Sequence, residues 1–117
     1  LHAPYGQGIF LRIAKETLSQ EEFSKTKNTL MKNAERYFEE PMKAHDLDAV
    51  LSIDNRTASY AAAAHYPALG VPMGFTTSGQ PQNLTLITPS KTEQRLLELG
   101  AAIERLLQAR KTPELFK

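Results

Sequence analysis

The segment from Tyr66 to Ile87 constrains the fold more than any other part of the chain. It contains three prolines and three glycines, placed around two short β-prone runs. Proline fixes φ and lacks a backbone donor, and glycine permits sharp turns, so this pattern is typical of strands that reverse direction. We therefore predict a hairpin with strands over residues 71–75 and 83–88 and a turn over residues 76–81. Because Pro72 lies inside the first strand, that strand is expected at a sheet edge or at a bulge.

Helical signals dominate the first forty residues. Residues 1–8 are rich in proline and glycine, which predicts an irregular lead-in, and apolar residues at helical spacing then predict a short helix over residues 9–18. Ser19 and Glu22 form a capping box that starts a long helix with one buried face. Pro41 removes a backbone donor, and its ring collides with the carbonyl four residues back. We expect the long helix to end just before it, near residues 39–40.

The second half of the chain alternates short strands with helices. Residues 48–53 form a short apolar run between polar residues, which favours a buried central strand. Residues 57–65 combine high helix propensity with small side chains and predict a short, closely packed helix. A second capping box, of Ser90 and Glu93, predicts the start of the last helix. Gly100 costs that helix about 1 kcal/mol relative to alanine, so we expect it to mark a close contact between helix and sheet.

The order of these elements predicts an α/β fold, with α+β as the alternative. We expect a small mixed sheet of about three strands flanked by helices. A chain of 117 residues is long enough for one compact unit, so a single domain over residues 1–117 is the default.

Composition excludes several classes of function. A hydrophobic content of 41% and a charged content of 23% are typical of a globular protein, and a net charge of +1 gives no general attraction for nucleic acid. No apolar run approaches the roughly 20 residues that span a bilayer, so no membrane partner is expected. The chain has no cysteine, which favours a reducing compartment and a cytoplasmic location. Because it starts at Leu1, a processed product and a piece of a longer protein are both consistent with the sequence.

No metal or cofactor site is predicted. The histidines at positions 2, 45 and 65 lack a second ligand-type residue at convincing helical spacing. His45 lies near Asp46 and Asp48, but a solvated turn explains that cluster fully. A glycine-rich loop that could hold phosphate between a strand and a helix is also missing from the sequence.

The second half of the chain resembles a known family. Residues 60–65 form the small-residue helix, and residues 66–75 read YPALGVPMGF. A short loop, Gly79-Gln80-Pro81, an apolar strand and a helix with a polar start follow. This ordered pattern is similar to the C-terminal part of amidase-signature enzymes, which are serine hydrolases that cleave amide bonds. In that family the strand equivalent to residues 48–53 usually ends in serine or threonine followed by proline. Here it ends Ser52-Ile53-Asp54-Asn55, so the loop departs from the family's usual form and the resemblance by itself implies no substrate contact there.

The resemblance implies that this chain holds no catalytic residue. Amidase-signature enzymes use two serines and a lysine, with the serines in a stretch dense in glycine and serine, and this sequence has no such stretch. Its serines are isolated, and Lys15 has no matching setting. Polar residues that follow the predicted strands are the candidates for the wall of a substrate cleft, although each is also explained as a capping or turn residue. They are Ser52, Asn55, Thr76, Thr77 and Ser78.

Two functional hypotheses follow. In the first, the chain is the C-terminal structural portion of an amidase-signature hydrolase and is inactive alone. In the second, it is a free-standing, non-catalytic α/β domain that acts through binding or self-association. Both predict that exposed strand edges recruit another chain, either the remainder of the parent amidase or a second copy. A third interpretation is an unrelated α+β domain that has converged on the same pattern.

Overall fold

The computed structural model describes residues 6–112, so most of the predicted irregular lead-in lies outside the described residues. This range contains four helices and three strands. In chain order they are α1 (Gly8–Ala14), α2 (Gln20–His45), β1 (Val50–Ile53), α3 (Ala58–Ala63), β2 (Ala68–Phe75), β3 (Pro81–Ile87) and α4 (Glu93–Leu107).

The three strands form one sheet in the order β1-β3-β2, and both pairings are antiparallel. The predicted three-stranded sheet flanked by helices is confirmed, but the sheet is not mixed. The hairpin places β3 in the centre, because β2 and β1 pair with its two sides. β2 is an edge strand with an irregularity between Pro72 and Gly74, as its proline predicted.

The prediction of β1 as a buried central strand is wrong for the described residues, where β1 is the other edge. Val50 and Ser52 are half-buried, but Leu51 and Ile53, which alternate with them, are exposed. A continuous apolar run is typical of a strand covered on both faces. In β1 the face that carries Leu51 and Ile53 is apolar but uncovered. The apolar run over residues 48–53 therefore predicted more burial than the strand has.

Helices cover both faces of the sheet. Leu86 and Ile87 are adjacent in β3 and point to opposite faces. Ile87 packs with α2 and α3, whereas Leu86 packs with β2 and α4. The first cluster consists of Ala34, Phe38, Met42, Ala61, Ala64 and Ile87, and the second of Val71, Leu86 and Leu96.

Pro41 does not end α2, which continues to His45 and contradicts the expected stop. Phe38 and Met42 lie on either side of the proline in sequence, and both are buried against the sheet. A proline inside a helix costs about 3 kcal/mol, while burying one large apolar side chain contributes about 1.5–3 kcal/mol. Burial of Met42, which follows the proline, offsets most of this cost, and the helix continues past it. The chain then turns at Asp46, which adopts a left-handed conformation.

The two predicted capping boxes have different outcomes. Ser19 and Glu22 form theirs at the start of α2. The second box is wrong, because α4 begins at Glu93 after Thr92, and the Ser90 hydroxyl donates instead to the carbonyl of His65 at 2.6 Å. The Ser90 hydroxyl therefore bonds to a residue distant in sequence and does not cap α4.

Replacing Ser19 with alanine should lower the free energy of unfolding by about 1 kcal/mol, the usual effect of losing an N-cap. The Ser19 hydroxyl accepts from the backbone N–H of Glu22 at 3.2 Å, and the Glu22 carboxylate accepts from the backbone N–H of Ser19 at 3.0 Å. Urea denaturation followed by circular dichroism measures the change. Ser24→Ala, an exposed serine inside the same helix, is the matched control and should be nearly neutral.

The effect of Ser19→Ala should also depend on pH. Hydrogen bonds from Ser19 lower the pKa of Glu22 below its ordinary value of 4.5. A carboxyl with a lowered folded pKa stabilises the folded state above its unfolded pKa, and this contribution disappears as pH falls through the folded value. The difference between wild type and Ser19→Ala should therefore shrink below about pH 4.5. A difference that stayed constant from pH 7 to pH 3 would contradict the role of the carboxylate.

Candidate functional site

The predicted cleft residues lie at one end of the sheet. Antiparallel pairing places Ile53 opposite Leu84, near the start of β3, and the hairpin turn directly precedes Pro81. The loop after β1 and the hairpin turn therefore lie on opposite sides of β3. They are offset by three residues along β3, or about 10 Å. The structure brings the two candidate groups to the same sheet end but not into one compact cluster.

Asp54 organises the loop after β1, and sequence reasoning missed it. Its backbone N–H donates to the carbonyl of Asn83 at 2.8 Å, and its carboxylate accepts from the backbone N–H of Asn83 at 2.9 Å. Its carbonyl accepts from the hydroxyl of Thr85. Asp54 has a φ of 54°, a left-handed conformation that aspartate tolerates because its short side chain bonds nearby backbone. An aspartate directly after an apolar strand was the available signal.

Ser52 and Asn55 have different surroundings. Ser52 lies inside β1, opposite Thr85 and half-buried on the face that α2 and α3 cover. Asn55 is exposed, and its carbonyl accepts from the backbone N–H of Ala58 at 3.3 Å, which closes the turn into α3. Within residues 6–112, neither side chain makes a hydrogen bond. Asn55 is the more accessible of the two.

The hairpin turn uses most of its own polar groups. The Thr76 backbone N–H donates to the carbonyl of Gln80 at 2.8 Å, and the Thr76 hydroxyl accepts from the Gln80 N–H at 3.0 Å. The Ser78 hydroxyl lies 2.9 Å from that of Thr76, and Gly79 supplies the positive φ that the turn requires. Thr77 is exposed, and among the described residues its side chain has no hydrogen-bond partner. Thr76 and Ser78 therefore act as turn residues, which leaves Thr77 free to contact a ligand.

Tyr66, at the start of the YPALGVPMGF segment, links that segment to α2. Its ring stacks on Phe38 with centroids 5.6 Å apart, and its hydroxyl donates to the Glu39 carboxylate at 3.3 Å. Burial, followed by the negative charge of Glu39, raises the pKa of Tyr66. A hydrogen bond and the charge of Lys43 lower the pKa of Glu39. Tyr66 is thus a protonated donor at neutral pH and packs the start of this segment against α2.

The site has polar groups that can bind but lacks an arrangement typical of catalysis. No hydrogen bond between a serine hydroxyl and a lysine exists in residues 6–112, and that range contains no group of acidic and histidine side chains that could hold a metal. None of the helices described is long and apolar enough to cross a membrane. An apolar groove of about 440 Å³ lies between α2 and α3, lined by Leu30, Ala34, Tyr37, Ser59, Tyr60 and Ala63 among others.

Comparison with known proteins identifies similar chains. An Arabidopsis thaliana protein named "Probable amidase" is 30% identical over 111 residues, and the match covers 94% of this chain and 22% of that protein. The crystal structure of an amidase family protein from Bacillus anthracis str. Ames matches 96% of this chain and 22% of its own, with a TM-score of 0.89 and 30% identity. No family model matches the chain.

A second solved structure supports the same fold. The native peptide amidase from Stenotrophomonas maltophilia matches 96% of this chain with a TM-score of 0.84 and 24% identity, and the match covers 26% of that protein. At this identity the similarity concerns the fold alone. The chain spans about a fifth to a quarter of the length of the proteins it matches. The expected resemblance and fold class are confirmed.

Proposed function

Because this chain is homologous to one portion of amidase-family proteins, we propose that it is a non-catalytic, C-terminal structural part of an amidase-signature hydrolase that cleaves amide bonds. One observation carries the proposal: 96% of the chain matches 22% of an amidase family protein at 30% identity and a TM-score of 0.89. The remainder of the parent supplies the nucleophile and its base. This chain supplies strands and flanking helices to the larger fold.

The surroundings of the hydroxyl groups support a non-catalytic role. A serine nucleophile needs a base within hydrogen-bond reach and donors for the developing oxyanion. Ser52 is half-buried in a strand, while Ser78 and Ser90 bond to nearby turn and backbone groups. Lys15 is an exposed residue that caps α1 at its C-terminal end. None of these residues has the pairing that a serine hydrolase requires.

We further propose that the sheet end formed by the loop after β1 and the hairpin turn is one wall of the substrate cleft. Asn55 and Thr77 are its exposed polar side chains without an internal partner among the described residues. Thr76 and Ser78 stabilise the hairpin turn through their hydroxyl groups, and Ser52 is half-buried in β1. A wall of this kind contributes to substrate binding more than to the chemical step.

The two parts of this proposal are tested on the natural full-length gene product and on the 117-residue chain with a series of simple aliphatic and aromatic amides. We expect the full-length protein to hydrolyse amides and the isolated chain to show no turnover. In the full-length protein, the double change Asn55→Ala and Thr77→Ala should raise KM several-fold with a smaller effect on kcat, because it removes binding contacts.

The control for the cleft wall is the double change Asn33→Ala and Thr26→Ala, which truncates the same residue types at exposed positions of α2. This control should leave KM and kcat unchanged. Turnover by the isolated chain would contradict the non-catalytic role. An unchanged KM in the Asn55 and Thr77 double variant would contradict the cleft wall.

A free-standing domain that acts through binding is the second candidate function. The exposure of large apolar side chains on α1, α2 and β1 favours it, since patches of this kind mark interaction surfaces. The length of the natural reading frame separates the two candidates. A frame several times longer, with an upstream segment rich in glycine and serine, supports the amidase, and a natural start near Leu1 supports the free-standing domain. In both cases the lack of cysteine in this segment favours a reducing compartment, and we place the protein in the cytoplasm.

A further inference from the structure

The loop after β1 carries one charged side chain besides Asp54. Arg56 lies between Asn55 and the start of α3, and its side chain is exposed. Among residues 6–112, the arginines that form ion pairs are Arg36 and Arg95. Arg56 therefore has no carboxylate partner in the described part of the chain, and it lies at one side of the proposed cleft wall.

The backbone around Arg56 is held from both directions. The Ala58 N–H donates to the carbonyl of Asn55 at 3.3 Å, which closes a β-turn that has Arg56 as its second residue. Directly before this turn, Asp54 exchanges two hydrogen bonds with the backbone of Asn83 in β3. Arg56 is thus presented at the tip of a turn that is anchored to the sheet. A fixed backbone lowers the cost of ordering the side chain around a ligand.

The charges at this end of the sheet favour an anion. The hairpin turn on the other side of β3, residues 76–80, contains no charged residue. Phe75 directly precedes that turn, and the Nζ of Lys111 lies 5.6 Å from the centroid of its ring, so a second cation is held beside the turn. The acidic residue in the two loops is Asp54, whose carboxylate accepts from the backbone N–H of Asn83. A cation therefore lies at each side of the wall.

The chemistry of a guanidinium group indicates which anion fits best at Arg56. Its donors form a planar fork that matches the two oxygens of a carboxylate, and such charge-assisted pairs are roughly twice as strong as neutral hydrogen bonds. A neutral amide offers the guanidinium only a carbonyl oxygen. A carboxylate on the substrate therefore gains more from Arg56 than any uncharged group does.

We propose that Arg56 is a specificity-determining residue that selects amide substrates carrying a carboxylate away from the amide bond to be cleaved. This inference rests on the proposed function, because it places the loop after β1 at the wall of the substrate cleft. The carboxylate binds the guanidinium and takes no part in bond cleavage, which remains with the nucleophile of the parent protein. Arg56 contributes to substrate binding, so its effect falls on KM more than on kcat.

Pairs of amides that differ in charge but not in shape test the proposal in the natural full-length gene product. In succinamate a carboxylate replaces the isopropyl group of 4-methylpentanamide, and longer homologues of both vary the distance between carboxylate and amide. We expect kcat/KM for the best anionic amide to exceed that of its neutral partner by about tenfold, mainly through KM. Added salt should reduce this preference, because the guanidinium is exposed. Equal kcat/KM values within every pair would overturn the proposal.

Three substitutions at position 56 separate charge from shape. Arg56→Gln removes the charge and should abolish most of the preference for anionic amides. Arg56→Lys keeps the charge without the planar fork and should retain part of it, whereas Arg56→Glu should favour the neutral amides. All three variants should keep the kcat of the wild type for neutral amides, which shows that the cleft is intact. A preference for anionic amides that survives both Arg56→Gln and Arg56→Glu would overturn the proposal.

The matched control is Arg95→Gln, which removes the same charge at the opposite end of β1. The Arg95 guanidinium lies 3.4 Å from the carboxylate of Asp48, which precedes β1, whereas Arg56 follows it. Exposed ion pairs contribute little to stability, so this change should alter neither the fold nor the preference. A loss of preference as large as that in Arg56→Gln would mean that net charge alone attracts the anion, which overturns the proposal.

Calorimetric titration of the full-length protein with the same amides distinguishes this inference from the proposed function. Tighter binding of the anionic amide that depends on Arg56, in a protein that hydrolyses neither amide, supports the inference and contradicts the proposed function. Hydrolysis of both amides with equal kcat/KM contradicts the inference alone. A protein that neither binds nor hydrolyses these amides contradicts both.

Discussion

Replacing Phe38 with alanine should lower the free energy of unfolding of the chain by about 3–5 kcal/mol, the range for large aromatic truncations in a core. Phe38 is fully buried where α2, α3 and the sheet meet. Its ring packs edge-to-face with Tyr37 at 5.1 Å and stacks on Tyr66 at 5.6 Å. The truncation leaves a cavity and removes both aromatic contacts. Urea denaturation followed by circular dichroism measures the loss.

The matched control is Phe10→Ala, which makes the same truncation on α1 where the ring is 70% exposed. Exposed substitutions usually change stability by about 0.5 kcal/mol or less. If Phe38→Ala lowered the free energy of unfolding no more than Phe10→Ala does, the packing of α2 and α3 against the sheet around Phe38 would be contradicted. Domains have only about 5–15 kcal/mol of total stability, so Phe38→Ala is expected to leave the isolated chain barely folded at room temperature.

Features encoded by neighbouring residues could be predicted from the sequence. The capping box needs only Ser19 and Glu22, and the hairpin needs only its own prolines and glycines. Pro72 lacks a backbone N–H, and this explains both the irregularity next to it and the position of β2 at the edge of the sheet. These predictions are confirmed because each depends on chemistry within a few residues.

Predictions that depended on distant contacts were wrong. Pro41 was expected to end α2, but the helix continues to His45 and buries Met42 beyond the proline. Ser90 was expected to cap α4, but its hydroxyl bonds to the carbonyl of His65. β1 was expected in the centre of the sheet, but in the described residues it pairs only with β3 and lies at an edge. In each case tertiary structure outweighs a local rule.

The candidate site could be predicted only in part. Polar residues next to strand ends were singled out as candidates from the sequence, but their surroundings depend on hydrogen bonds that spacing alone does not reveal. Thr76 and Ser78 bond within their turn, while Asp54, which was not predicted, anchors the neighbouring loop through Asn83. The YPALGVPMGF segment carries the resemblance to amidases. Its residues build an edge strand and a contact with α2.

Replacing Gly100 with valine should lower the free energy of unfolding by about 2–3 kcal/mol, because it overpacks the contact between α4 and β2. A Cβ at position 100 would lie 2.2 Å from Cδ2 of Leu69 and 3.4 Å from its Cγ, so the leucine has to move. The close approach of α4 to β2 therefore explains the glycine in the middle of this helix. The low helix propensity of glycine had predicted such a contact. Urea denaturation measures the loss, and Ala101→Val, at the adjacent exposed position of α4, is the control for the helix propensity of valine.

A double-mutant cycle identifies Leu69 as the cause of the Gly100 effect. Leu69→Ala alone should destabilise the chain, because Leu69 packs against the cluster around Leu96. Combined with Gly100→Val, Leu69→Ala makes room for the valine side chain. The double variant should therefore lose less free energy of unfolding than the sum of the two single variants, by about 1–2 kcal/mol. Strictly additive losses would mean that valine is accommodated without moving Leu69. In that case the close contact between α4 and β2 would not be the reason for glycine at this position.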